Sequence, residues 1–101
     1  GTLTVTNSTF VGNSAPVPGG NGGGALTNFG TSTINNSTLS GNTTNGWGGG
    51  INNFGTLAIA NSIVSGNTAV QGAEINSFPV VTSGGNNVFG FNSTTGLNNV
   101  A

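Results

Sequence analysis

The sequence repeats itself. GTLTVTNSTFVGN (1–13) returns as GTSTINNSTLSGN (30–42) and again as GTLAIANSIVSGN (55–67). Between these lies a second set of matched segments, GGALTNFG (23–30), GGGINNFG (48–55) and GAEINSFP (72–79), offset by 25 and 24 residues. Self-similarity at such a period marks a solenoid, in which one repeat cannot bury its apolar face alone and a stack of repeats can.

Aligned this way, the units place like residues in columns. Leu26, Ile51 and Ile75 share one column, and Phe29, Phe54 and Phe78 another. Val5, Ile34 and Ile59 match, as do Phe10, Leu39, Val64 and Phe89 once Gly84 and Gly85 are allowed as an insertion. Leu3, Leu57 and Val81 also correspond, with Ser32 the exception. Two asparagine columns run through every unit: Asn7, Asn36, Asn61 and Asn86, then Asn13, Asn42, Asn67 and Asn92.

Within a unit, Leu3-Thr4-Val5-Thr6 alternates with the period of two expected of a half-buried strand. Thr, Val, Ile and Phe favour strands, and Asn, Gly and Ser punctuate them. No stretch carries a helical period, and each glycine inside a helix would cost about 1 kcal/mol. Three short strands and three turns in about 25 residues make one coil of a parallel β-helix, with coils roughly 4.8 Å apart. The expected fold is therefore all-β, a right-handed parallel β-helix (β-solenoid) without helix. Residues 1–101 are read as one domain of about four coils (about 1–22, 23–47, 48–71 and 72–101) with uncapped ends. The apolar columns are expected to face inward, and the asparagine columns to pass amide hydrogen bonds from coil to coil.

The columns resemble the right-handed parallel β-helix repeats of bacterial surface proteins. They are similar in particular to the polymorphic outer-membrane protein repeat, marked by GGA followed by Ile, Leu or Val, and by FxxN. GGAL (23–26) fits the first mark; FVGN (10–13) and FGFN (89–92) fit the second, and LSGN (39–42) and VSGN (64–67) keep its shape. The resemblance covers nearly the whole chain and implies a solenoid at the cell surface or outside the cell. The chain departs from that family in its near-total lack of charge, and no membrane anchor is expected in it.

Composition narrows the function. There is no Lys, Arg or His, and the only acidic side chain is Glu74. A chain without cations has nothing to neutralise phosphates, so nucleic acid is not an expected partner. No apolar run reaches the length of a membrane span, and nothing at the N-terminus reads as a signal peptide. Acid–base pairs and nucleophile–base pairs need titratable partners that are missing, so no enzyme, cofactor or metal site is expected. Asn7, Asn36 and Asn92, with Asn35 and Asn42, fit the glycosylation acceptor pattern, but they recur because the coil recurs. Glu74 reads as a solvent-facing residue. Residues 15–23 (APVPGGNGG) read as a surface loop. Trp47 is expected to cover a corner of the stack; if exposed, it would offer a contact surface.

The termini suggest a partner. Gly1, Thr2 and Leu3 open on the second strand of a coil, and the chain closes with GLNNVA (96–101), similar to GINNFG (50–55). Leu97, Asn98, Asn99 and Val100 would thus supply the first strand that precedes Gly1-Thr2-Leu3. The primary expectation is a structural subunit of an extracellular or cell-surface fibre. Its partners would be copies of itself stacked head to tail, as separate subunits or as successive stretches of one chain. A second expectation is a slice of an adhesin that binds glycans or other cell surfaces. A third, ice binding through Thr2, Thr4 and Thr6, is weakened where Asn35, Ala58 and Ala60 break the threonine rows.

Overall fold

A computed structural model describes residues 1–16 and 22–90. In chain order these form β1 (Thr2–Thr6), β2 (Thr9–Val11), β3 (Ser14–Ala15), β4 (Leu26–Asn28), β5 (Thr31–Asn35), β6 (Thr38–Ser40) and β7 (Thr43–Thr44). They continue with β8 (Ile51–Asn53), β9 (Thr56–Ala60), β10 (Ile63–Ser65), β11 (Ile75–Ser77), β12 (Thr82–Ser83) and β13 (Val88–Phe89). No helix occurs among the described residues.

The strands form parallel sheets ordered β1-β5-β9-β12, β2-β6-β10-β13 and β4-β8-β11, with a short extra pair, β3-β7, at a corner. Successive strands of the chain enter different sheets, and neighbours within a sheet come from successive repeats. The chain is therefore a parallel β-solenoid of about three turns. The four coils expected shorten to about three because the first turn starts on its second strand and the described part of the last ends at Gly90.

Register follows the columns. Val5 pairs with Ile34 and Ile34 with Ile59. Leu26, Ile51 and Ile75 align, as do Phe10, Leu39, Val64 and Phe89. A one-residue slip would turn every apolar side chain to the opposite face, so burying one face fixes the register. Val5, Ile34, Leu39, Ile51, Leu57, Ile59, Val64, Ile75 and Val81 are buried in one cluster, and Phe10, Ala25, Leu26 and Phe89 pack against it half-buried. Ser32 is buried in the column of Leu57 and Val81, whereas Leu3 at the end of that column is exposed.

The turns explain the first asparagine column. Asn7, Asn36 and Asn61 all have φ 52° and Asn86 has φ 58°, the left-handed region that asparagine tolerates better than other side-chain-bearing residues. Glycine is demanded by close approach at the corner holding GGG. A Cβ at Gly49 would lie 2.5 Å from the Ala73 carbonyl oxygen and 2.6 Å from that of Thr68.

Candidate assembly surface

Three features distinguish this solenoid from a plain stack: a buried ladder ending on a carboxylate, an aromatic column on the outside, and an open sheet edge.

The ladder runs through the second asparagine column. Asn13 donates from its backbone N (2.9 Å) and Nδ2 (3.0 Å) to Oδ1 of Asn42. Asn42 donates in the same way to Oδ1 of Asn67, both at 2.9 Å. The Nδ2 atoms of Asn42 and Asn67 also donate to the carbonyls of Phe10 and Leu39, each at 3.0 Å. One turn further on, the acceptor is Glu74. Asn67 donates to Oε1 from its backbone N (3.2 Å) and Nδ2 (2.6 Å), while Gly66 N donates to Oε2 (3.1 Å). Glu74 thus takes the two donors that a further asparagine rung would take. It is 1 % exposed, which corrects the expectation of a solvent-facing side chain. The cause lies in its column, Ala25, Gly50 and Glu74, which points into the stack. A Cβ at Gly50 would meet Cγ1 of Val64 at 3.0 Å and Nδ2 of Asn67 at 3.1 Å. The carboxylate fits because the position over it is a glycine: a Cβ at Gly90 would meet Oε2 at 2.4 Å. Asn92 lies outside the described residues.

The first asparagine column carries fewer amide bonds than expected. Asn86 Nδ2 donates to Asn61 Oδ1 (3.3 Å), but Asn61 Nδ2 donates to Asn35 Oδ1 (3.2 Å) rather than to Asn36. The adjacent serines do more. Ser8 N donates to Ser37 Oγ and Ser37 N to Ser62 Oγ, both at 3.1 Å, and Ser62 N donates to Asn87 Oδ1 at 2.8 Å. A further buried ladder, absent from the sequence reading, runs down the β4-β8-β11 sheet. Asn28 Nδ2 donates to Asn53 Oδ1 (2.8 Å) and Asn53 Nδ2 to Ser77 Oγ (3.0 Å). In this ladder and in the Asn13–Asn42–Asn67 ladder, each amide donates to the later turn.

Phe29, Phe54 and Phe78 form a column, but on the outside, which corrects their placement in the core. Phe29 is 71 % exposed and Phe78 54 %. The rings of Phe29 and Phe54 stack with centroids 4.8 Å apart and planes 4° from parallel; Phe54 and Phe78 stack at 5.0 Å and 19°. Phe29 is three residues from the inward Leu26, and an odd separation on a strand reverses the face. Trp47, half-buried, extends the column, its ring 5.9 Å from Phe78 and tilted by 55°.

Among the described residues β1, β2 and β4 are edge strands of the three main sheets, and β4 borders a cavity. Its partner β8 lies on one side; on the other, among the described residues, no strand is paired to it. An open cavity of about 290 Å³ occupies that side, walled by Gly1–Leu3 and Leu26–Ser32. Leu97, Asn98, Asn99 and Val100 lie outside the described residues. The chain matches no protein family, no curated protein and no solved structure.

Proposed function

We propose that this chain is a structural module of an extracellular or bacterial cell-surface fibre, built by stacking copies along the solenoid axis. The observation that carries the reading is the in-register parallel order of the three main sheets, whose outermost strands β1, β2 and β4 have the same chemistry as the interior ones. An uncovered parallel edge is a template for another strand, and a contact between two different ends propagates without closing. The shared GGA and FxxN marks support a surface location by their similarity to the polymorphic outer-membrane protein repeat. The lack of acid–base pairs in the sequence favours a structural role over an enzymatic one.

Electron microscopy and fibre diffraction of the purified chain test the reading. Filaments with a strand repeat near 4.8 Å and a subunit rise of roughly 19 Å, four strand spacings, are expected. Discrete monomers at high concentration, with no axial repeat, would overturn it.

The second reading, a slice of an adhesin, rests on the exposed aromatic column. Phe54 has a ring on each face, so a sugar ring would find its platform at the ends of the column, above all at Trp47. A glycan array separates the two readings: saturable binding lost in Trp47→Ala favours the adhesin.

A further inference from the structure

We infer that the outer face of the β1-β5-β9-β12 sheet carries a sugar subsite, a trough over Ala58 and Ala60 that takes one neutral pyranose ring of a glycan chain. This deepens the second reading above, resting on it only in that the surface meets glycans, and it places the sugar elsewhere than at Trp47.

The trough follows from the register. Thr4, Thr33, Ala58 and Thr82 share one column of this sheet, and Thr6, Asn35 and Ala60 share the next. Between the two columns lie Ile34 and Ile59, which are buried, so both columns face outward. Where the neighbouring strands carry hydroxyls or an amide, β9 carries two methyl groups. Gly84 follows β12 and adds no side chain; a Cβ there would lie 3.0 Å from that of Ala60. The result is a cavity of about 170 Å³, with Ala58 and Ala60 as its floor and Thr33, Asn35, Thr82 and Gly84 around them. Thr33 and Thr82 stand two strand spacings apart, roughly 9.6 Å.

The lining selects the occupant. The floor is apolar, and the walls carry polar groups that the fold leaves uncommitted. Asn35 Oδ1 accepts from Asn61 Nδ2 (3.2 Å). Asn35 Nδ2 and the hydroxyls of Thr33 and Thr82 have no hydrogen-bond partner among the described residues. An apolar surface with a few placed polar groups is the make-up of a small-molecule site. The only charged side chain, Glu74, is buried, so an ionic ligand finds no counter-charge. A peptide strand cannot add here, because β9 is already paired on both sides, with β5 and β12. A water lattice would need unbroken threonine rows, and the trough interrupts them. A pyranose ring meets the remaining requirements. Its C–H face lies on the two methyl groups, and its rim hydroxyls reach Thr33, Asn35 and Thr82. One ring held this way binds at roughly millimolar strength, so tight attachment comes from several sites engaged at once.

The test is a titration of the full chain, isotope-labelled at its alanine methyl groups and followed by NMR, with cellohexaose, maltohexaose and N-acetyl-chitohexaose. The Ala58 and Ala60 methyl resonances are expected to shift saturably with at least one of the three sugars, and those of Ala25 and Ala73 to stay in place. Ala58→Thr is expected to fold, because Thr33 and Thr82 already occupy its column, and to weaken binding about tenfold or more by filling the floor. Trp47→Ala is expected to leave binding at the trough unchanged. Should Ala58→Thr lose its far-UV spectrum, Ala60→Asn, which repeats Asn35 in the same column, replaces it. An absence of shifts at both methyl groups, or binding that persists in the filled variant, overturns the trough. Binding lost in Trp47→Ala and kept in Ala58→Thr overturns the trough and leaves the adhesin reading standing with its platform at Trp47. No saturable binding anywhere on the unaltered chain overturns both.

Discussion

At the residue scale, Glu74 is held by hydrogen bonds that only a carboxylate satisfies. Both of its oxygens accept, Oε2 from Gly66 N and Oε1 from Asn67. Glu74→Gln keeps the shape but turns an NH2 toward a backbone N–H. We expect it to lose roughly 1–3 kcal/mol in chemical denaturation, the cost of leaving a buried donor without its acceptor. Gly90→Ala should act on the same site, because its methyl group would displace Oε2. The two asparagine columns look alike in sequence and should respond oppositely. Asn36 is exposed and serves through its positive φ, so Asn36→Gly should change stability by only a few tenths of a kcal/mol. Asn42 is fully buried with its oxygen and its amide nitrogen both bonded, so Asn42→Gly should cost about 2 kcal/mol or more. Thermal melts of the two variants side by side decide it. The sequence disclosed both columns but not which one was interior. The signal available was the glycine before Asn13, Asn42 and Asn67, namely Gly12, Gly41 and Gly66, all with positive φ. There glycine performs the turn and leaves asparagine free to point inward. Glu74 was beyond reach, because its burial depends on Gly90 leaving space one turn away.

At the element scale, column membership was readable and side-chain direction was not always. Alternation placed Val5, Ile34 and Ile59 inward because they sit within five-residue strands with threonine, asparagine or alanine beside them. The three-residue strands β4, β8 and β11 gave less to count from, and hydrophobicity alone sent the phenylalanines to the core. Counting from Leu26 reverses that: Asn28 shares its face and Phe29 does not. The consequence is a sheet whose inward positions hold an amide ladder while its outer corner holds stacked rings. Each stacked pair contributes about 0.5–1.5 kcal/mol beyond burial. Phe54 has a ring on each side and Phe29 has one described neighbour. Phe54→Ala should therefore destabilise the chain by about one stacked pair more than Phe29→Ala, measured by urea unfolding. If the rings were ordinary exposed side chains, both substitutions would be nearly neutral.

At the scale of the whole molecule, the repeat period and the matched columns implied a parallel stack, and the three main sheets follow those columns. The fourth strand pair, β3-β7, was not foreseen because Ser14-Ala15 and Thr43-Thr44 are two-residue strands, too short to show alternation. A stack gains stability from contacts between neighbouring turns, so covering its end faces adds a stabilising contact that depends on concentration. Under the stacking reading, the melting temperature should rise with protein concentration. Charge makes a further demand on the same assembly. The sole acidic side chain, Glu74, is buried against hydrogen-bond donors, and no lysine, arginine or histidine exists to answer it on another copy. Ionic screening acts on exposed charges, and apart from the chain termini this surface has none to screen. Stacking driven by backbone bonds and apolar columns should therefore keep its critical concentration nearly constant across a tenfold change in sodium chloride, followed by light scattering. A steep salt dependence would mean that the copies meet through their charged termini rather than through the sheet edges.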